Sequence, residues 1–155
     1  MRNDFAEASV GLTLPAQRKH LAELHEWLVD GGRVVEGERV LALTNYQQGR
    51  FGRLPTHILL VTTGRIAFTY DDGVRSIPMS EVDTSGISVS AGVVHGRITI
   101  LLRDGGSLTF RRGKSLAMAE VAGALRLHGC PSPDPAPRSR TVEELNTRSR
   151  RGRRR

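Results

Sequence analysis

From Arg39 to Arg111 the chain is a succession of short apolar runs, many alternating with a two-residue period and each soon ended by turn chemistry. That punctuation constrains the fold more than any other feature, because runs so short and so often broken form hairpins and not helices. Arg39–Tyr46 reads as a strand, and Gln47–Pro55, with Gly49, Gly52 and Pro55, reads as an exposed loop. Thr56–Thr62 is apolar on both faces, which predicts a central strand. Thr63-Gly64 allows a tight turn into Arg65–Tyr70, where Ile66, Phe68 and Tyr70 alternate, and Asp71-Asp72-Gly73 turns the chain again. Val74–Met79 carries Pro78, which predicts an edge strand or bulge. Val82–Ser90 follows, ended by Ala91-Gly92, and then Arg97–Arg103 and Ser107–Arg111 form a hairpin around Asp104-Gly105-Gly106.

Two helical patterns flank these strands. The first dozen residues show no firm pattern. A helix is signalled from Thr13-Leu14-Pro15, with Leu21, Leu24 and Leu28 on one face, Trp27 beside them, and Gly31-Gly32 as the stop. From Lys114 the period changes to helical again. Met118, Val121, Ala122 and Leu125 form a core-packing stripe that ends at Gly129. With 38% hydrophobic residues a packed core is feasible, and full disorder is excluded. The longest aliphatic run, Ile58–Val61, is far short of the ~20 residues that cross a bilayer as a helix. Asp4 and Glu7 stand where a secretory signal needs apolar residues, so export by that route is not expected. Cys130 is the only cysteine, fits a reducing cytosol, and is expected to be an inert thiol, His128 being its only local candidate base.

After Cys130 the composition shifts. Pro131, Pro133, Pro135 and Pro137 alternate with small or polar residues as an extended linker. Thr141–Glu144 matches a capping box, but only Leu145 stands behind it, enough for a transient turn. The expected organisation is therefore a folded domain over 13–130, a linker over 131–147 and a basic tail over 148–155. Residues 131–155 hold eight Arg against three acidic side chains, whereas the first 130 residues hold 15 basic and 13 acidic. Only Lys19 and Lys114 are Lys, a bias that genome composition can produce, so clustering is the better signal of phosphate recognition. The last eight residues show it: Arg148, Arg150, Arg151, Arg153, Arg154 and Arg155.

A helix, about seven short antiparallel strands and one amphipathic helix form the element order of a small barrel closed by a helix. Here the chain resembles the bacterial pleckstrin-homology-like domains, of the compact kind related to GRAM domains (the YokE-like group). The resemblance is carried by Glu36-Gly37-Glu38-Arg39-Val40, by Ile58 to Phe68 with its Val61-Thr62-Thr63-Gly64-Arg65-Ile66 core, by Ser76-Ile77-Pro78-Met79-Ser80-Glu81-Val82, and by the hairpin Arg97–Phe110 with the helix after it. It covers about residues 20–128. It implies a mainly β fold: two nearly orthogonal sheets, with the last helix plugging one open end. The chain departs from the eukaryotic lipid-binding members in its first loop, which offers only Arg50 and Arg53 around Phe51, and in the closing helix, which lacks their Trp.

Catalysis finds little support. His20, His25, His57, His95 and His128 lack metal-ligand spacing, no Gly-rich loop opens a helix, and Asp71, Asp72 and Asp104 sit beside Gly in turns. The expectation is a non-catalytic, cofactor-free and metal-free binding module with no small-molecule substrate, cytoplasmic, and either free in the cytosol or peripheral to nucleoid, ribosome or inner membrane. Three readings stand. The arginine tail attaches to RNA, DNA or an anionic lipid surface, nucleic acid foremost, the alternative being that it only keeps the chain soluble. The loop Tyr46–Arg53 docks on an anionic membrane or a protein, with Phe51 inserted between Arg50 and Arg53, the alternative being that Phe51 folds back onto the barrel. An exposed sheet edge or the Trp27 helix docks a partner protein or a second copy, although Leu21, Leu24 and Leu28 favour packing of that helix on the barrel.

Overall fold

The computed structural model describes residues 2–8, 12, 15–31, 37–47, 56–70 and 73–129. A short helix α1 (Asn3–Ala8) and a longer α2 (Pro15–His25) come first, α2 running on as a π-helical turn over Glu26–Asp30. Seven strands follow: β1 (Val40–Gln47), β2 (Thr56–Thr62), β3 (Arg65–Tyr70), β4 (Gly73–Pro78), β5 (Val82–Ala91), β6 (His95–Leu102) and β7 (Ser107–Lys114). The chain then enters α3 (Ser115–His128). All pairings are antiparallel, in the order β4-β3-β2-β1-β7-β6-β5. Four strands stand on one side of the β1–β7 junction and three on the other, and the register there is a single pair, Gln47 opposite Arg111. The two expected sheets thus meet as one ladder. Among the described residues β4 and β5 end it, linked by a 3-10 turn at Met79–Glu81 that is pinned by Met79 N–H to the Gly64 carbonyl at 2.8 Å. Pro78 ends the edge strand β4, where its missing N–H costs no ladder bond.

The doubly apolar β2 is central for a physical reason. Its alternate residues enter two different cores. Leu59 and Val61 join Tyr46, Phe68, Ile98, Ile100 and Phe110 under the Met118, Val121, Ala122 and Leu125 stripe of α3. Tyr46 and Phe68 each meet the Phe110 ring edge to face, at 4.9 and 5.3 Å between centroids. Ile58 and Leu60 point the other way, with Leu43 and Ala67, against Phe5, Leu21, Leu24 and Leu28. Trp27 is half-buried against this second core, as the leucine stripe of its helix leads one to expect.

Helix α1 was not visible as a pattern in the sequence. Six residues make less than two turns, too few to show a period and too few to persist alone. It holds because Phe5 is fully buried and Asp4 acts as a clamp. The Asp4 carboxylate accepts the Val40 N–H at 2.9 Å, at the start of β1, and pairs with Arg2 at 2.9 Å. Arg2 also donates to the Glu38 carbonyl. Strands β6 and β7 run past the expected ends Arg97 and Arg111 through a Gly96–Gly113 pair. Glycine is a poor strand former, but here α3 and β1 need the space: a Cβ on Gly113 would collide with the Met118 side chain of α3 and lie 2.6 Å from the Asn45 carbonyl oxygen of β1, and one on Gly96 would lie 3.1 Å from Ser115 Cα at the start of α3. In the β6–β7 turn Gly105 has φ +88°, and Asp104 accepts the Gly106 N–H at 2.7 Å, so this carboxylate has the turn role expected of it.

Candidate cationic face

The residues singled out for binding, Arg50, Phe51 and Arg53 in the first loop and Arg148, Arg150, Arg151, Arg153, Arg154 and Arg155 in the tail, lie outside the described residues, as do Cys130 and the linker. The described part of the molecule brings a different group of cations together. Along β6, Gly96, Ile98 and Ile100 are buried, so His95, Arg97 and Thr99 stand on the outer face. Their partners on β7 are Lys114, Arg111 and Thr109. The ladder thus sets two guanidinium-bearing residues directly opposite each other, an arrangement that like charges disfavour. Arg112 adds a third: it is the extra residue of a bulge between Gly96 and Arg97, exposed, with φ 57°.

No acidic side chain among the described residues pairs with this group. Among the described residues Arg97, Arg111, Arg112 and Lys114 make no ion pair, whereas Arg2 and Arg65 are paired with Asp4 and Glu38. On the flanking strand β5 the outward neighbours are Ser88 and Ser90, opposite Thr99 and Arg97. The signal for this face was in the sequence and was hidden by averaging. Residues 1–83 hold nine basic and eleven acidic side chains, while residues 84–130 hold six basic and two acidic. A nearly neutral domain is therefore polarised, its positive end on the β5–β6–β7 side.

Chemically the face is a set of cationic hydrogen-bond donors. It presents guanidinium and ammonium donors, which stay charged at neutral pH, beside the imidazole of His95. Elsewhere the aromatic and polar side chains are engaged in structure: Tyr46 O–H donates to the Thr69 carbonyl, His57 lies between Tyr46 and Tyr70 at 5.3 and 6.5 Å, and the Arg75 guanidinium sits 4.6 Å over the Tyr70 ring.

Seven antiparallel strands in this order, with a C-terminal helix packed on them, make a mainly β, PH-like fold. No family model and no curated protein matches the chain. Among solved structures it is similar to the pleckstrin homology domain of USP37, at 13% identity and a TM-score of 0.45, over 57% of this chain and 94% of that one. It is also similar to the C-terminal domain of an unknown protein from Leishmania infantum, at 14% identity and a TM-score of 0.47, over 66% of this chain and 97% of that one.

Proposed function

We propose that the chain is a non-catalytic polyanion-binding module, in which the PH-like domain is a rigid support and the six arginines of 148–155 attach to nucleic-acid phosphates. The observation that carries this reading is their density: six guanidinium groups in eight residues, with no carboxylate and no aromatic side chain among them. Guanidinium donors pair with phosphate oxygens in a bidentate fork, and each neutralised phosphate releases counterions. Without rings to stack on bases, the tail reads charge and not sequence, so RNA and DNA are bound with little sequence preference. The same proposal places the chain with the compact bacterial GRAM-related members, on the motif residues Gly37-Glu38-Arg39-Val40 and Ile77-Pro78, and in the cytosol.

The test is a salt titration of anisotropy with labelled duplex DNA and single-stranded RNA, comparing the full chain with one lacking residues 148–155. If all six arginines meet phosphates, the deletion lowers the log–log salt slope on duplex DNA by about 5. An unchanged affinity and slope at low salt overturns the proposal.

A further inference from the structure

The bulge on β7 breaks a local rule of backbone chemistry. Arg112 has φ 57°, in the left-handed region, and among the described residues it is the one residue other than glycine with positive φ. Glycine takes that conformation without penalty, and Asn or Asp takes it more readily than Arg. The long side chain gains no partner in return: Arg112 is exposed and, like Arg97 and Arg111, makes no ion pair among the described residues. What the bulge changes is direction. In a regular strand successive side chains take opposite faces. Here Phe110 and Gly113 are buried while Arg111 and Arg112 between them are both exposed, so the extra residue keeps two consecutive guanidinium groups out of the core. A strained position occupied by a cation with nothing to pair against is a mark of function.

Arg97 lies across the ladder from Arg111, and His95 and Lys114 form the next outward pair, two residues or roughly 7 Å along. Four cationic side chains thus stand on one stretch of rigid sheet. Hydroxyls flank them: Thr99 and Thr109 share a hydrogen bond at 3.2 Å, and Ser90 is opposite Arg97. No Phe, Tyr or Trp lies on this face, because Phe110, the one such residue of β5, β6 and β7, is buried. Fixed cations between hydroxyls suit a stiff, regular row of phosphates. A duplex supplies that row, with one negative charge per ~1.7 Å of axis and its bases already stacked on each other. A single strand would need rings to stack on, and this face offers none. We infer that the β6–β7 face is a second phosphate-contact surface, on which Arg97, Arg111, Arg112 and Lys114 hold the backbone of duplex nucleic acid. The choice of ligand rests on the nucleic-acid reading above, while the residues are separate from those of the tail.

The experiment is an anisotropy titration with labelled duplex DNA, run on the full chain and on the chain lacking 148–155, each with and without Arg97→Gln/Arg111→Gln. At about 0.9 per neutralised phosphate, the tail-less chain should keep a log–log salt slope of about 3–4, and the double variant should lower the slope by about 2 in both chains. Both positions are exposed, so the variant should melt like the wild type. Arg112→Gly separates binding from structure. Glycine suits φ 57°, so this variant should melt no lower than the wild type and yet lose about 1 from the slope. The two proposals fail separately. The tail reading falls when deletion of 148–155 changes nothing. The present inference falls when the tail-less chain shows no salt-dependent duplex affinity, or when its glutamine variant keeps the full slope. Tighter binding of single-stranded than of duplex DNA by the tail-less chain would also overturn it, as would a glutamine variant that loses phosphatidylglycerol vesicles and keeps the duplex.

Discussion

Phe5→Ala is the substitution that asks most of the fold. Phe5 is the one large apolar residue of a six-residue helix, fully buried, against Leu21, Leu24 and Leu28 on one side and Leu43, Ile58, Leu60 and Ala67 on the other. Its ring also meets His25 edge-on at 5.1 Å. Truncating a phenylalanine in such a site costs about 3–5 kcal/mol, the transfer of the ring plus the cavity it leaves. That is a large part of the ~5–15 kcal/mol that holds a domain together. Urea denaturation measures it, followed by fluorescence of Trp27, which reports the second core, and by far-UV circular dichroism, which reports the sheet. With a slope of ~1.5 kcal/mol/M the midpoint should fall by about 2–3 M. Both probes should move together, because β1, β2 and β3 contribute residues to each core. Phe5→Leu should cost less than about 1.5 kcal/mol. A loss below about 1 kcal/mol for the alanine variant, or a Trp27 transition that separates from the sheet signal, would show that α1 lies outside the cooperative unit and refute the argument.

Two further outcomes follow from the polar contacts around β1. Burial pushes the Asp4 carboxyl upward, but the Val40 N–H and the Arg2 guanidinium outweigh it and hold the group below its ordinary range. A depressed carboxyl contributes stability above the unfolded value, near ~3.9, and loses it as pH falls through the folded one. The Tm difference between wild type and Asp4→Asn should therefore be constant near neutrality and shrink as the solution is acidified, and a gap that widens in acid contradicts the clamp. Glu38 and Arg65, with side chains only 10% and 20% exposed, form a two-point pair at 3.1 and 3.2 Å. Glu38→Ala should cost about 1–3 kcal/mol, and a double-mutant cycle with Arg65→Ala should give a coupling above the ~0.2–1 kcal/mol of exposed pairs.

How far the sequence could be read depended on whether a residue's role is local. Strands β2 and β3 fall where alternation and Thr63-Gly64 predict them, because period and turn chemistry act over a few residues. The stripe of α3 and the edge position of Pro78 were legible for the same reason. Phe5 was not, since one aromatic residue in a short helix acquires its meaning only from Leu43 and Ile58, strands away. Gly96 and Gly113 misled for the opposite reason: local propensity argues against a strand, and the close approach of α3 overrides it. The candidate site was the least legible part. Its cations are spread from Arg97 to Lys114, and only the β6–β7 register puts Arg97 opposite Arg111.

The architecture leaves the β5–β6–β7 side as the half of the sheet whose outer face is free of packing. On the other half of the sheet both faces are occupied, by α3 beneath and by α1 and α2 above, so outward residues such as Leu43, Ile58 and Leu60 are committed to packing. On β6 and β7 only the inner face is used, by Ile98, Ile100 and Phe110, and among the described residues no helix covers the outer one. Composition on that face is free of core demands. Neutral or mixed-charge residues would satisfy stability better there, because opposed like charges cost about 0.2–1 kcal/mol per pair and an Arg at positive φ adds strain. An anion lying across Arg97, Arg111 and Arg112 would offset that cost.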